Sequence, residues 1–217
     1  MDGLREFLHK GGFFMYLNIV VSGIVLAIIF ERAYFFLGKG AVNARAFLDQ
    51  LKKYLHADQL DRAIKLCQAA GQAPCARVAH AGLQRMHKGE VAVATGIEEA
   101  LVDVTPEIKK RIPALWSLAN IATLLGLLGT ISGLIGAFAA VGSAEASKRS
   151  ALLADRIAEA MYNTAMGLGI AVTCLIGHVL LNSIARKQAA DLESFALKLE
   201  NVVAEGAGAE KQEPKGA

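Results

Sequence analysis

The chain has 217 residues, of which 54% are hydrophobic and 20% are charged, and its formal net charge is +3. This hydrophobic share is high for a water-soluble protein of such length and indicates a membrane protein. The positive charge does not indicate nucleic-acid binding, because the basic residues are spread through helical segments with no aromatic residues between them.

Three runs without Asp, Glu, Lys or Arg carry most of the hydrophobic excess, at residues 11–30, 112–143 and 160–185. At 1.5 Å per helical residue, each is long enough to cross a hydrocarbon layer of about 30 Å. The first is expected to stay attached, since Glu31 and Arg32 follow it where a signal peptide would have small residues. The sequence therefore predicts an all-α integral membrane protein with transmembrane helices at residues 14–36, 115–140 and 160–184.

Between the first two spans, residues 37–114 are predicted to form a cytoplasmic helical domain. Apolar residues recur there at helical spacing, as at Phe47 and Leu51, and Gly71 and Pro74 interrupt the pattern. The preceding Asp58 is a candidate cap for a helix over residues 59–70. The periodicity indicates amphipathic helices and no strands.

The cysteines Cys67, Cys75 and Cys174 are odd in number, and the last lies inside a predicted span. A disulfide framework is therefore not expected. Cys67 and Cys75 lie near His80 and His87, but this set lacks the paired C-x-x-C spacing of zinc sites. The sequence predicts neither a metal nor a cofactor.

Basic residues near the ends of the spans predict the orientation of the chain. Lys109, Lys110 and Arg186 lie next to the ends that the positive-inside rule assigns to the cytoplasm. The prediction is a periplasmic N-terminal segment (1–13), a periplasmic connection (141–159), a cytoplasmic helix (185–204) and a disordered tail (205–217).

Small residues follow two stripes inside the last two spans. Such stripes let neighbouring helices approach closely in lipid. The first stripe is Gly126, Gly129, Gly133 and Gly136, and the second is Ala165, Gly169, Thr173 and Gly177.

Hydroxyl groups in these spans have two possible roles. Thr130 and Thr164 could face a shared polar path, or each could bond to its own helix backbone. No Asp, Glu, Lys or Arg lies in the central part of any span, and Glu159 is at the outer mouth of the third. If the protein moves ions, the membrane-embedded carboxylate is expected to come from a partner.

Four segments resemble the family of ExbB, TolQ and MotA, and most closely ExbB and TolQ. They are LLGLLGTISGLIGAF (124–138), IAEAMYNTAMGLGIAV (157–172), FERAYFF (30–36) and DQLDRAIKLCQAAGQAPCARVAHAGL (58–83). The first two together are specific, whereas either glycine-rich run alone is weak.

The resemblance implies a pore-forming stator subunit of a proton- or sodium-driven motor in the bacterial inner membrane. It implies a homopentamer around a dimer of single-span partners like ExbD, TolR or MotB, which carry the essential aspartate, and an effector like TonB or TolA. The family's pore threonines match Thr130 and Thr164, and its glutamate matches Glu159. No cofactor is implied beyond the transported H⁺ or Na⁺, and the output could be TonB-dependent uptake, Tol-type envelope maintenance or gliding motility.

The chain departs from the family pattern at Thr123 and Thr173, where the family has proline, so helix kinks are in doubt there. Two other functions stay open. The protein could be a passive membrane scaffold that organises partners, or an intramembrane serine protease with Ser132 as nucleophile and His178 as base.

Overall fold

The computed structural model describes residues 12–38, 44–143 and 145–212, and within them the chain is helical with no strand. The predicted all-α class is confirmed. A short 3-10 helix, Met86–Lys88, lies between the fourth and fifth α-helices. The α-helices are α1 (Gly12–Leu37), α2 (Ala44–His56), α3 (Leu60–Ala69), α4 (Pro74–Leu83), α5 (Glu90–Lys109), α6 (Ile112–Ser143) and α7 (Arg149–Gln212).

Three of the described helices, α1, α6 and α7, are long and apolar enough to cross a membrane. Large apolar side chains on them are exposed, among them Phe30 at 70% and Phe138 at 70%. Such surfaces are stable only against lipid or other protein chains. The predicted count of three membrane helices is therefore confirmed.

The described residues fall into two compact units. One contains α1 as far as Arg32 together with Arg111–Leu181, and the other contains Ala33–Lys110 and α7 from Asn182 onwards. We call them the membrane unit and the helical unit.

In the membrane unit, α6 and α7 pack antiparallel. The Nδ1 atom of His178 lies 3.0 Å from the carbonyl oxygen of Ile112 at one end of the pair. At the other end, a Cβ added to Gly133 would come 2.8 Å from the Cβ of Ala160.

Helix α1 runs parallel to α7 in the same unit. Gly12, at the start of α1, lies against Glu159, and Ile29 lies against Gly177 further along α7. The two contacts are 17 residues apart on α1 and 18 apart on α7, as expected for parallel helices in register.

An ionic cluster joins α1 to the start of α6. Glu31 accepts hydrogen bonds from Arg32, at 2.9 Å, and from Arg111. Arg111 has φ 65° and ends the turn between α5 and α6 in the left-handed region, which is uncommon for a residue with a Cβ.

The helical unit is built around the close packing of α4 and α5. A Cβ at Gly82 would come 2.6 Å from the Ile97 side chain, and a Cβ at Gly96 would come 2.9 Å from the carbonyl oxygen of Ala81. Arg85 pairs with Glu99 across the same crossing at 2.5 Å. Glycine is needed at both positions because the helices are too close for a side chain.

Phe47 of α2 packs on Phe195 of α7, with ring centroids 6.0 Å apart, also within the helical unit. The buried residues of this part of α7 recur at helical spacing, as the amphipathic pattern predicts. They include Leu192, Phe195, Leu199 and Val202.

Two details differ from the sequence predictions. Asp58 has φ 53° and does not cap α3, which begins at Leu60 with no side-chain cap, so the predicted cap is wrong. Helix α7 continues to Gln212, past residue 205 where the disordered tail was predicted to begin. Ala, Glu, Lys and Gln in that segment are strong helix formers. The N-terminal segment 1–11 and residues 213–217 lie outside the described residues.

Candidate functional site

The candidate site lies where α6 crosses α7, and glycine allows that crossing. A Cβ at Gly126 would come 3.1 Å from the carbonyl oxygen of Asn163, and one at Gly129 would come 2.6 Å from the Asn163 Cβ. Gly133 lies against Ala160 in the same way. These three residues of the first stripe therefore lie in the interface between α6 and α7.

Gly136, the last residue of that stripe, has no atom within 4 Å of an added Cβ among the described residues. It takes no part in the contact between α6 and α7. A side chain at this position would project into open space beside the chain.

The stripe predicted on α7 faces α1, not α6. Ala165, Gly169 and Thr173 line a cavity of about 330 Å³ beside Ser22 and other residues of α1. A Cβ added to Gly177 would come 2.8 Å from the Ile29 side chain. Packing of α7 on α6 instead uses Gly167, where a Cβ would come 2.6 Å from the carbonyl oxygen of Ala122 and 3.0 Å from the Gly126 Cα.

Thr164 joins the two helices. Its hydroxyl donates to the carbonyl oxygen of Gly126 on α6, at 3.2 Å. Thr130 differs, because its hydroxyl donates within its own helix to the carbonyl oxygen of Leu127, at 2.6 Å. Of the two roles left open for these hydroxyls, a bond to the same helix is found for Thr130 and not for Thr164.

The two threonines nevertheless lie on the same side of the helix pair. At about 3.6 residues per turn, Thr164 and Asn163 fall on opposite edges of the α7 surface that faces α6. Gly129 contacts Asn163, and Thr130 lies on the other edge of α6, the edge nearer Thr164. Thr130 and Thr164 thus border one side of the pair, and α1 packs on the other.

Glu159 of α7 lies apart from these threonines, next to the first residue of α1. Its carboxylate accepts a hydrogen bond from Arg156 at 2.9 Å. A Cβ at Gly12 would come 2.7 Å from its Oε1 atom, and Gly12 has φ 61°. The glycine therefore makes room for the carboxylate next to the helix start, where a negative charge is favourable.

Thr123 and Thr173 bond to their own helices. Their hydroxyls donate to the carbonyl oxygens four residues earlier, Ala119 at 3.0 Å and Gly169 at 2.9 Å. Helices α6 and α7 continue through both positions. These two hydroxyls are satisfied locally, in contrast to that of Thr164.

Two buried asparagines were missed by the sequence analysis. Asn18 of α1 is 0% exposed and Asn163 of α7 is 3% exposed. Both amide atoms of Asn18, and Oδ1 of Asn163, have no hydrogen-bond partner among the described residues. The sequence signal for both is a polar amide in an otherwise apolar span, where polar groups are costly and are often functional.

The protease hypothesis is contradicted by the positions of its two residues. His178 contacts the carbonyl oxygen of Ile112 and the ring of Trp116 near the start of α6. Ser132 lies twenty residues after Ile112 on the same helix, which corresponds to about 30 Å. A nucleophile and a base must be within hydrogen-bond reach, so these two residues do not form a catalytic pair.

The cysteines of the helical unit are buried thiols. Burial raises the pKa of Cys67 to about 12, with a smaller contribution from nearby Cys75, and burial also raises the pKa of Cys75. Among the residues that the structure describes, no group of three or more His, Cys, Asp and Glu side chains is arranged to hold a metal ion.

Comparison with known proteins adds one match. The family model of the MotA/TolQ/ExbB proton channel family matches residues 70–194, more than half of the chain. The matched range includes Thr130, Thr164 and Glu159 and most of the helix pair that carries them. No match was found among curated proteins.

Proposed function

Because the chain belongs to the MotA/TolQ/ExbB proton channel family, we propose that it is the pore-forming stator subunit of an ion-driven motor in the bacterial inner membrane. In this proposal five copies surround a dimer of single-span partners like ExbD, TolR or MotB. Ion flow through the ring moves the partner, which transmits work to an effector like TonB or TolA.

The geometry of Thr130 and Thr164 is the observation that carries the proposal. They border one side of the α6–α7 pair, and Thr164 is fixed in position by its bond to the Gly126 carbonyl. If this side lines the pore, their oxygens lie opposite the partner's aspartate. A carboxylate in a low-dielectric channel is costly to ionise, so its affinity for H⁺ or Na⁺ depends on such oxygens and on water.

Glu159 would then act at the periplasmic entrance. It is paired with Arg156 and is partly exposed, which suits a group that ions pass before they enter the membrane. Each unit charge that crosses 100 mV releases about 2.3 kcal/mol, so ion flow alone can drive a motor of this kind without a nucleotide.

The test is ion flux in liposomes that contain the complex purified with its partner. We expect Thr130→Val with Thr164→Val to reduce flux by about tenfold or more, since loss of one hydrogen bond to an ion or its water costs about 1–2 kcal/mol. The variant with Ser at both positions should conduct, because it keeps both hydroxyls.

Thr173→Val is a matched control, because its hydroxyl bonds to its own helix, as that of Thr130 does, but Thr173 lies on the side of α7 that faces α1. This variant should leave flux unchanged. Parental flux in the double Val variant, with the complex intact, would refute the pore assignment and favour a passive scaffold.

Orientation is tested separately by cysteine labelling. The proposal places residues 37–114 in the cytoplasm and the connection 141–159 in the periplasm. A membrane-impermeant thiol reagent on cells with a permeabilised outer membrane should label Ser147→Cys and spare Glu98→Cys, both at exposed positions. The reverse pattern would invert the topology. Native Cys67 should not interfere, because it is buried and its pKa is raised to about 12.

A further inference from the structure

The two buried asparagines of the membrane unit require hydrogen-bond partners. An amide buried without a hydrogen bond costs several kcal/mol in hydrocarbon, where no bulk water can compensate. The Nδ2 donor group and the Oδ1 acceptor of Asn18, and the Oδ1 acceptor of Asn163, have no partner among the described residues. The Nδ2 group of Asn163 makes only a long contact with its own helix, 3.4 Å from the carbonyl oxygen of Glu159.

The packing of α1 on α7 brings these amides to the same level. Gly12 lies beside Glu159 and Ile29 lies beside Gly177, so in a parallel pair Asn18 is level with Ala165. Ala165 is two residues from Asn163 on α7, so the two asparagines are about 3 Å apart along the helix axis.

The side chains of Asn18 and Asn163 also point in converging directions. On α1, Asn18 shares the buried face with Met15 and Val25. On α7, Asn163 lies between the surface that contacts α6 and the surface that contacts α1, and its Cβ lies against Gly129. Both amides therefore point towards the junction of the three helices.

We propose that Asn18 and Asn163 form a buried hydration site, in which internal water bridges the two amides at the junction of α1, α6 and α7. The site is separate from Thr130 and Thr164, which border the opposite side of the α6–α7 pair. It does not depend on ion conduction by this chain.

The chemistry of the groups favours water over a cation. A cation is bound by oxygen ligands and is repelled by the Nδ2 group of Asn18, whereas water accepts from that group and donates to both Oδ1 atoms. Buried waters typically make about three hydrogen bonds to polar groups that lack other partners, which matches the three unpaired atoms here.

A double-mutant cycle tests whether the two residues act together. The variants Asn18→Leu, Asn163→Leu and their combination are compared with the parent by the unfolding midpoint of the purified complex. Each single change should lower the midpoint because it strands the other amide, and the combined loss should be smaller than the sum of the two. Additive losses would overturn the proposal.

A matched cycle uses Asn120→Leu with Asn163→Leu, because Asn120 is an exposed asparagine on α6. In this control cycle the two losses in unfolding midpoint should add, because Asn120 is not part of the proposed site. If Leu at position 163 prevents assembly, the same cycle with Ala at positions 18 and 163 gives the coupling with smaller side chains.

Radiolytic hydroxyl labelling distinguishes bridging water from direct pairing of the amides. Met15 is 0% exposed and lies one turn before Asn18, so internal water at the junction is the expected source of its oxidation. Met15 should be labelled in the parent and lose that labelling in the double Leu variant, while Met86, which lies outside the spans and is half-buried, is labelled in both. An unlabelled Met15 in the parent would overturn the hydration site even if the cycle showed coupling.

Discussion

Gly167 and Gly169 are two residues apart on α7 but have different surroundings, so the substitution of Ala should be costly at one position and tolerated at the other. A Cβ at Gly167 would come 2.6 Å from the Ala122 carbonyl oxygen, whereas a Cβ at Gly169 meets no described atom within 4 Å. Ordinary contact begins at 3.4 Å, so Gly167→Ala requires α6 and α7 to separate locally by about 0.8 Å. The clash is with backbone, which cannot rotate away.

The cost of that separation follows from two effects. Overpacking of a close interface costs about 1–3 kcal/mol. The Thr164 hydroxyl, now 3.2 Å from the Gly126 carbonyl oxygen, would move to about 4 Å, beyond hydrogen-bond distance, and bonds of this kind contribute about 0.6 kcal/mol in membranes. Gly167→Ala should therefore destabilise the protein by about 2–4 kcal/mol, and Gly169→Ala should have little effect.

The assay is the unfolding midpoint of the purified complex in detergent, with ion flux measured in parallel. Gly167→Ala should lower both the midpoint and the flux, because Thr164 loses its fixed position. Equal midpoints and equal flux for the two variants would refute the backbone contact between α6 and α7.

Three further outcomes are expected. Gly96→Ala should lower the free energy of unfolding by about 1–3 kcal/mol, because its Cβ would meet a backbone carbonyl of α4 at 2.9 Å; proteolysis across a temperature series would show the lower unfolding midpoint. The pKa of Glu200 is raised by burial and by nearby Glu98, so its stabilising contribution is present at low pH and is lost as the pH rises through the folded-state pKa. Glu200→Gln should thus stabilise the protein at pH 7.5 by less than about 1 kcal/mol, and the gain should disappear in melts near pH 4. Gly136→Leu should leave the subunit folded but reduce oligomer assembly if this open surface faces a neighbouring copy, as native mass measurement would show; an unchanged oligomer mass would contradict that role.

The number of spans and the glycines of α6 could be predicted from sequence. Length and hydropathy determine whether a helix can cross a bilayer, and Gly126, Gly129 and Gly133 recur at helical spacing on α6. On α7 the pattern was ambiguous. Ala165 and Gly169 form one small surface and Gly167 belongs to another, and the identity of the neighbouring helix is a tertiary property that periodicity does not contain.

The candidate site was likewise predicted in part. Motif resemblance singled out Thr130 and Thr164, but their hydrogen bonds differ because one hydroxyl reaches a neighbouring helix and the other does not. Asn163, the residue before Thr164, was overlooked because its importance comes from burial against Gly129, which no local pattern reveals. Asp58 was misread because its chemistry suits a cap while its backbone adopts a left-handed turn.

The close contact of α6 with α7 bears on where a motor built from this chain can move. One ion that crosses 100 mV supplies about 2.3 kcal/mol, which is similar to the cost of about 2–4 kcal/mol for moving these two helices 0.8 Å apart. An ion-driven cycle that opened this contact in every subunit would use most of its free energy on internal strain. The glycine contact and the Thr164 bond instead make the pair a rigid wall that holds the two threonines in place. Motion is then expected at surfaces that the chain leaves unfilled, such as the one beside Gly136, and at the surface that faces the partner helices.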